Sequence, residues 1–170
     1  MIDFSKAFDR IDHNILLLKL QILCVPPISL HWCADFLQER NLRVKMGQIK
    51  SSWHQINDSV PQGTKLGPTL FLVMINDLEP NLPIYKFVDD CTVYDAHLKS
   101  ANSALQTNID GISEWIDNIN MLLNVKKTKE LCISLTKCPL NLQNLSLANN
   151  EIKVGDEFKL LSVNISSDLS

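Results

Sequence analysis

The chain has 170 residues, enough for one domain, and its 45% hydrophobic content suffices to fill a core. Charged residues make up 21% and the formal net charge is −3. This excludes a broadly polycationic nucleic-acid binder and requires any polyanionic partner to be held by local basic patches or metal ions. The five cysteines, Cys24, Cys33, Cys91, Cys132 and Cys138, form no CxxC pair and have no His at zinc-ligand spacing, so they read as reduced thiols. No signal peptide precedes "MIDFSKAF", and the longest apolar run, "LFLVMI" at 70–75, is too short to span a bilayer. The expected setting is intracellular, cytoplasmic or nuclear, with no membrane partner. In that setting the Asn-x-Ser triplets at Asn57, Asn144 and Asn164 read as coincidence.

"MIDF" reads as a strand end, followed by a helix whose face is marked by Ile11, Ile15, Leu18 and Ile22 and which "VPP" at 25–27 closes. A second helix is expected through "ISLHWCADFLQER". "NLRVKMG" and "IKSSWHQI" read as strands joined near Gly47, and "SVPQGTKLGP" as a loop. The next helix, "TLFLVMINDL", is apolar all round and is expected to be buried. "IYKFVDDCTVY" reads as two short strands with Asp89 and Asp90 at their turn. From Ala101 to Asn120, Leu105, Ile109, Ile112, Ile116 and Ile119 recur at helical spacing, and "KELCISL", "NEIKV" and "FKLLSVNI" read as closing strands. This order implies an α+β domain, an antiparallel sheet with helices packed on one face.

An Asp-Asp pair is weak evidence by itself, because Asp is a favoured turn residue. Asp3 adds weight, since it too follows an aliphatic residue at a strand end. If its strand lies beside the Asp89 hairpin, three carboxylates converge, and mutual repulsion calls for a divalent cation. All-oxygen ligation with open positions suits Mg²⁺. Two such ions about 4 Å apart would serve an in-line phosphoryl transfer.

"DFSKAFDRIDHNILLLKL" (3–20), "VPQGTKLGPTLFLVMINDL" (60–78), "FVDD" (87–90), "LNVKKTK" (123–129) and "FKLLSVNISSDL" (158–169) resemble, in order, the successive motifs of the reverse transcriptase of non-LTR (LINE-type) retrotransposons. The resemblance implies a polymerase palm over residues 1–135, with 136–170 as C-terminal strands leading towards a thumb. It implies RNA-directed DNA synthesis, with an RNA template, a DNA primer, deoxynucleoside triphosphates and two Mg²⁺ ions, for which Mn²⁺ could substitute. Asp3 and Asp89 would be metal ligands with Asp90 beside them, and the carbonyl of Phe4 would face a metal. Phe8 would be the steric gate against a ribose 2′-hydroxyl; a core aromatic is its other reading. Gln62 and Gly63 would lie under the nascent base pair, although a glycine-bearing turn before a helix also accounts for "PQG". Lys127 would neutralise departing pyrophosphate, against the plainer reading of a solvated cluster with Lys126 and Lys129. Arg40, Arg43, Lys45 and Lys50 are either phosphate contacts or an exposed hairpin. The sequence carries no signal for oligomeric state.

Two departures stand out: Ser59 where the family has Gly before "VPQG", and Leu161-Ser162 where it has "LLG". A positive φ at either would strain the backbone by roughly 1 kcal/mol or more. The chain starts two residues before Asp3 and ends at "SDLS", so fingers, thumb and endonuclease are expected to lie outside it, and the chain alone is expected not to extend a primer. The alternative function is a non-catalytic remnant that at most binds divalent metal or nucleic acid weakly.

Overall fold

The computed structural model describes residues 1–56, 58–96, 103–134, 144–148 and 150–168. Asn57, Cys138, the Ala101–Asn102 start of the expected fourth helix and the end of "KELCISL" lie outside them. In chain order the elements begin with β1 (Ile2–Asp3), a 3-10 turn (Ala7–Arg10), α1 (His13–Ile22), α2 (Pro27–Leu37), β2 (Arg40–Leu42), β3 (Lys45–Met46), β4 (Ile49–Lys50) and β5 (His54–Ile56). They continue with α3 (Leu66–Ile75), β6 (Ile84–Phe87), β7 (Asp90–Val93), α4 (Leu105–Asn118), β8 (Lys129–Leu131), β9 (Ser146–Leu147), β10 (Asn150–Glu151), β11 (Lys153–Gly155), β12 (Glu157–Leu160) and β13 (Val163–Ser166). The fold is mixed helix and sheet. Among the described residues no helix is long and apolar enough to cross a membrane, and the described cysteines are free thiols.

The chain divides into two units. One comprises Lys6–Asp77 with Ile119–Met121 and is built on α1, α2 and α3. Asp12 starts α1 by accepting from the amides of Asn14 (2.8 Å) and Ile15 (3.2 Å), satisfying donors a helix leaves unpaired at its N-terminus. Pro27 opens α2, where its missing N–H costs nothing. Helix α3 starts three residues earlier than "TLFLVMINDL" suggests. Pro68 is accommodated in its first turn, where backbone N–H groups have no helical partner. A Cβ on Gly67 would approach the Pro61 carbonyl oxygen to 2.8 Å, so only glycine permits this close start. Leu70, Phe71, Met74 and Ile75 are buried as expected, with Leu72 exposed.

Of the face read from Ile11, Ile15, Leu18 and Ile22, Ile11 is buried just before α1 and Ile15 half-buried, but Leu18 and Ile22 are exposed and the helix buries Leu16 and Leu20 instead. "ILLLKLQIL" is apolar on nearly every side, so packing against α2 and α3 chose the stripe. Lys19 fastens α1 to the end of α3, donating to the Met74 carbonyl (2.7 Å) and pairing with Asp77. Between α2 and α3, β2 pairs with β5 and β3 with β4 as an antiparallel arm turning at Gly47, whose φ is +61°.

The other unit comprises Met1–Ser5, Leu78–Asn118 and Leu122–Ser170. Its three-stranded antiparallel sheet has the order β1-β7-β6. Helix α4 buries Ile109, Ile112 and Ile116, and Ile109 packs with Leu145, Leu147 and Ile152. Buried Asn108 accepts from the Leu82 amide (3.0 Å), tying α4 to the approach of β6. The described strands do not form one antiparallel sheet: besides the three-stranded one they make two-stranded pairs, and β8 and β11 run parallel.

Candidate active site

Strands β6 and β7 are joined by the two-residue turn Val88–Asp89, with Phe87 opposite Asp90. Two-residue hairpins need positive φ in the turn, and here Val88 supplies it at 53°. A β-branched residue in that region is an outlier that costs about 1–2 kcal/mol. The pairing of β6 with β7 bears this cost and places Asp89 at the tip of the hairpin.

On its other edge β7 pairs with β1, Ile2 opposite Cys91 and Asp3 opposite Asp90. Directly opposed residues in antiparallel strands point to one face with Cβ atoms about 5 Å apart. Asp90 therefore stands in a cross-strand row between Asp3 and Phe87, with Asp89 next to it in the chain. The first residues are held equally firmly on their far side. Ser5 N–H donates to the Leu122 carbonyl (2.7 Å), Asn124 N–H to the Asp3 carbonyl (2.8 Å) and Lys129 N–H to the Met1 carbonyl (3.1 Å). Buried Phe4 bridges to Leu123 along the same line. The turn that follows, closed by Lys127 and Thr128 amides on the Asn124 carbonyl, brings Lys127 Nζ to 3.9 Å from Asp3 Oδ1. The Asp3 side chain is 14% exposed and that of Lys127 70%, so the pair adds little stability but sets a positive charge beside the acids.

Burial raises the pKa of Asp90 above the usual carboxylate range, the charges of Asp89 and Asp3 raise it further, and Lys127 opposes them. Three carboxylates against one ammonium leave an excess of negative charge. In its chemistry this donor set fits a hard divalent cation with oxygen ligands. Among the described residues, however, no three carboxylate, imidazole or thiol groups converge on a cation-sized point. Cys91, beside Asp90, is fully buried and its thiol is pushed up to about 11, chiefly by burial, which favours the neutral thiol.

Asp3, Asp89, Asp90, Lys127 and Phe4 belong to one unit; Phe8, Gln62 and Gly63 belong to the other. Phe8 is half-buried and stacks on Phe71, ring centroids 4.8 Å apart. Exposed Gln62 donates from Nε2 to Asp9 Oδ1 at 3.2 Å. Gly63 has φ +78°, so the turn itself demands glycine. Arg40 is tied to the backbone: its Nε donates to the Leu37 carbonyl (3.1 Å) and its Nη2 to the carbonyls of Asp58 and Ser59 (3.0 and 2.6 Å). Two residues escaped sequence reasoning. Val88 gave no hint of its left-handed backbone. Thr128 is 2% exposed in a lysine-rich run that suggests solvent, and its hydroxyl lies 3.4 Å from the Asp3 amide.

Residues 1–165 match the family described as reverse transcriptase (RNA-dependent DNA polymerase). The chain is similar to the RNA-directed DNA polymerase from mobile element jockey of Drosophila melanogaster, 30% identical over 99% of this chain and 19% of the relative. Similarity to the probable RNA-directed DNA polymerase from transposon X-element of the same fly is 30% over 80% of this chain and 16% of the relative. For the probable RNA-directed DNA polymerase from transposon BS it is 27% over 79% and 16%. The chain thus spans about a fifth or less of the length of these curated relatives.

Proposed function

The chain belongs to the reverse transcriptase (RNA-dependent DNA polymerase) family, and from that premise we propose that it is the palm of an RNA-directed DNA polymerase. The observation that carries the reading is the pairing of Asp3 with Asp90 across β1 and β7, with Asp89 at the adjoining turn and Lys127 3.9 Å from Asp3. In this role a primer 3′-hydroxyl attacks the α-phosphate of a deoxynucleoside triphosphate on an RNA template, and pyrophosphate leaves. Asp3 and Asp89 are the carboxylates that would hold the two Mg²⁺ ions, or Mn²⁺ in their place, and the Phe4 carbonyl would face a metal. Such ions, when bound, neutralise the charge that develops on the phosphate oxygens. Asp90, whose ionisation is disfavoured first by burial and then by the charges of Asp89 and Asp3, adds a carboxyl whose charged form a bound cation would stabilise. Lys127 supplies an ammonium group to the departing pyrophosphate. Phe8 is assigned to exclusion of a 2′-hydroxyl, and Gln62 and Gly63 to the nascent base pair.

A second reading, the non-catalytic remnant, is favoured by the left-handed backbone at Ser59 (φ 77°) and Ser162 (φ 72°), positions where the family pattern has glycine. One experiment separates the two: primer extension on an RNA template with this chain in place of the matching segment of the jockey polymerase. Extension is expected, and Asp89→Asn should reduce it by roughly a hundredfold or more, the equivalent of the several kcal/mol that charge neutralisation supplies. Undiminished extension by D89N would remove Asp89, and the pair of metal-holding carboxylates it forms with Asp3, from the chemistry. Extension that appears only once Ser59 and Ser162 are changed to glycine would support the remnant.

A further inference from the structure

The β2–β5 arm belongs to the unit of α1, α2 and α3, and the acid row to the other. The stretch from Arg40 to Ile56 holds four of the chain's 16 Lys and Arg residues and none of its 19 Asp and Glu residues, within a molecule of net charge −3. Every residue from Asn41 to Gln55 is exposed. A two-stranded ribbon without a buried face is marginal by itself, and this one is not arranged for its own stability. Lys45 lies directly opposite Lys50, and like charges so placed destabilise a strand pair. Next to them Met46 lies opposite Ile49, 75% and 72% exposed. At the base of β3 the Arg43 guanidinium covers one face of the Trp53 ring at 4.3 Å, while Trp53 remains 61% exposed.

We infer that this arm is a docking surface for single-stranded RNA, with the Lys45–Lys50 pair on the phosphates and the Arg43–Trp53 pair as a platform for a base. A polyanion laid along the ribbon relieves the lysine repulsion that the arm alone suffers. An aromatic ring backed by a guanidinium offers the flat cationic surface on which unpaired bases stack without regard to sequence. Arg40 is left out of this surface, because its Nε and Nη2 donate to backbone carbonyls at the base of the arm. The choice of RNA over DNA rests on the polymerase reading; the binding itself does not.

The test is binding of a labelled single-stranded RNA oligonucleotide to the whole chain, without nucleotide or divalent ion, so that failure of the acid-site chemistry cannot disturb it. Replacing both lysines (K45S with K50S) should flatten the dependence of log affinity on log salt by about 1.4, two phosphate contacts' worth for a single strand. W53A should weaken binding about tenfold. K45E sets opposite charges across the register, so it should weaken RNA binding without lowering Tm. That result shows that lost affinity is not lost fold. Three outcomes would overturn the inference: no RNA binding by the unaltered chain, binding whose salt slope ignores both lysines, or binding only of a DNA strand of the same sequence. A fourth would also overturn it, reassigning the arm to a second copy of the chain: I49S or W53A shifting the sedimentation coefficient while RNA affinity stays unchanged.

Discussion

Phe8 stacks on fully buried Phe71 while remaining half-exposed, so it serves as core and surface at once. Deleting a fully buried Phe costs about 3–5 kcal/mol, and a half-buried one roughly half of that, so Phe8→Ala should lose about 2 kcal/mol of stability whatever its part in catalysis. A fall in overall rate therefore says nothing about sugar selection. The informative quantity is a ratio measured in one preparation, ribonucleotide against deoxynucleotide incorporation on the same primer, from which the stability loss cancels. Steric exclusion by Phe8 predicts that F8A raises this ratio; an unchanged ratio leaves Phe8 a core aromatic only. The sequence made both readings legible, because an aromatic five residues after Asp3 fits either. It could not show the partner ring, because Phe71 lies far along the chain on α3.

At the scale of elements, local pattern was legible where a segment's own chemistry dictates it and failed where neighbours decide. The α4 stripe of Ile109, Ile112 and Ile116 and the Gly47 hairpin follow from spacing or turn chemistry, whereas the β6–β7 turn, read as Asp89 and Asp90, is Val88–Asp89, and Asp90 opens β7. The buried face of α1 and the parallel pairing of β8 with β11 are set by distant segments and were not legible. The last hairpin shows how a local rule can be broken at a stated cost. Leu160 pairs with Val163 around a two-residue turn in which Leu161 and Ser162 both have positive φ, 47° and 72°. This is the backbone of a turn that favours Asn-Gly. Ser162→Gly relieves about 1–2 kcal/mol of left-handed strain and gives back roughly 0.5–1 kcal/mol in unfolded-chain entropy. The expected net gain of about 1 kcal/mol should appear as a higher denaturant midpoint with unchanged slope. At Ser59, with φ 77°, the same change also deletes the hydroxyl that accepts from Arg40 at 3.2 Å. A hydrogen bond worth about 0.5–1.5 kcal/mol offsets the relief, and Ser59→Gly should be near neutral. An equal gain at both positions would show that strain outweighs the Arg40 contact.

For the molecule as a whole, burial along the chain ranks which segments open first. Local opening needs little free energy where few apolar side chains are buried and backbone hydrogen bonds face solvent. Leu37 and Val60 are essentially fully buried, and between them the arm is clamped at its base by Arg40 on the Leu37 and Ser59 carbonyls. Beyond that clamp, from Asn41 to Gln55, every residue is exposed, so only ribbon hydrogen bonds protect its amides. Helix α3, by contrast, buries Leu70, Phe71, Met74 and Ile75, and α4 buries Ile109, Ile112 and Ile116. Hydrogen exchange read by mass spectrometry should therefore show the arm exchanging well before α3 and α4, although the arm is hydrogen-bonded along much of its length. Adding single-stranded RNA should slow exchange in the arm, because a strand bridging Lys45, Lys50 and Trp53 binds only the paired ribbon and so stabilises it by mass action. Slow arm exchange without RNA would mean that something other than its own ribbon pairing already covers the arm, and the exposure on which its role as an RNA surface depends would be wrong.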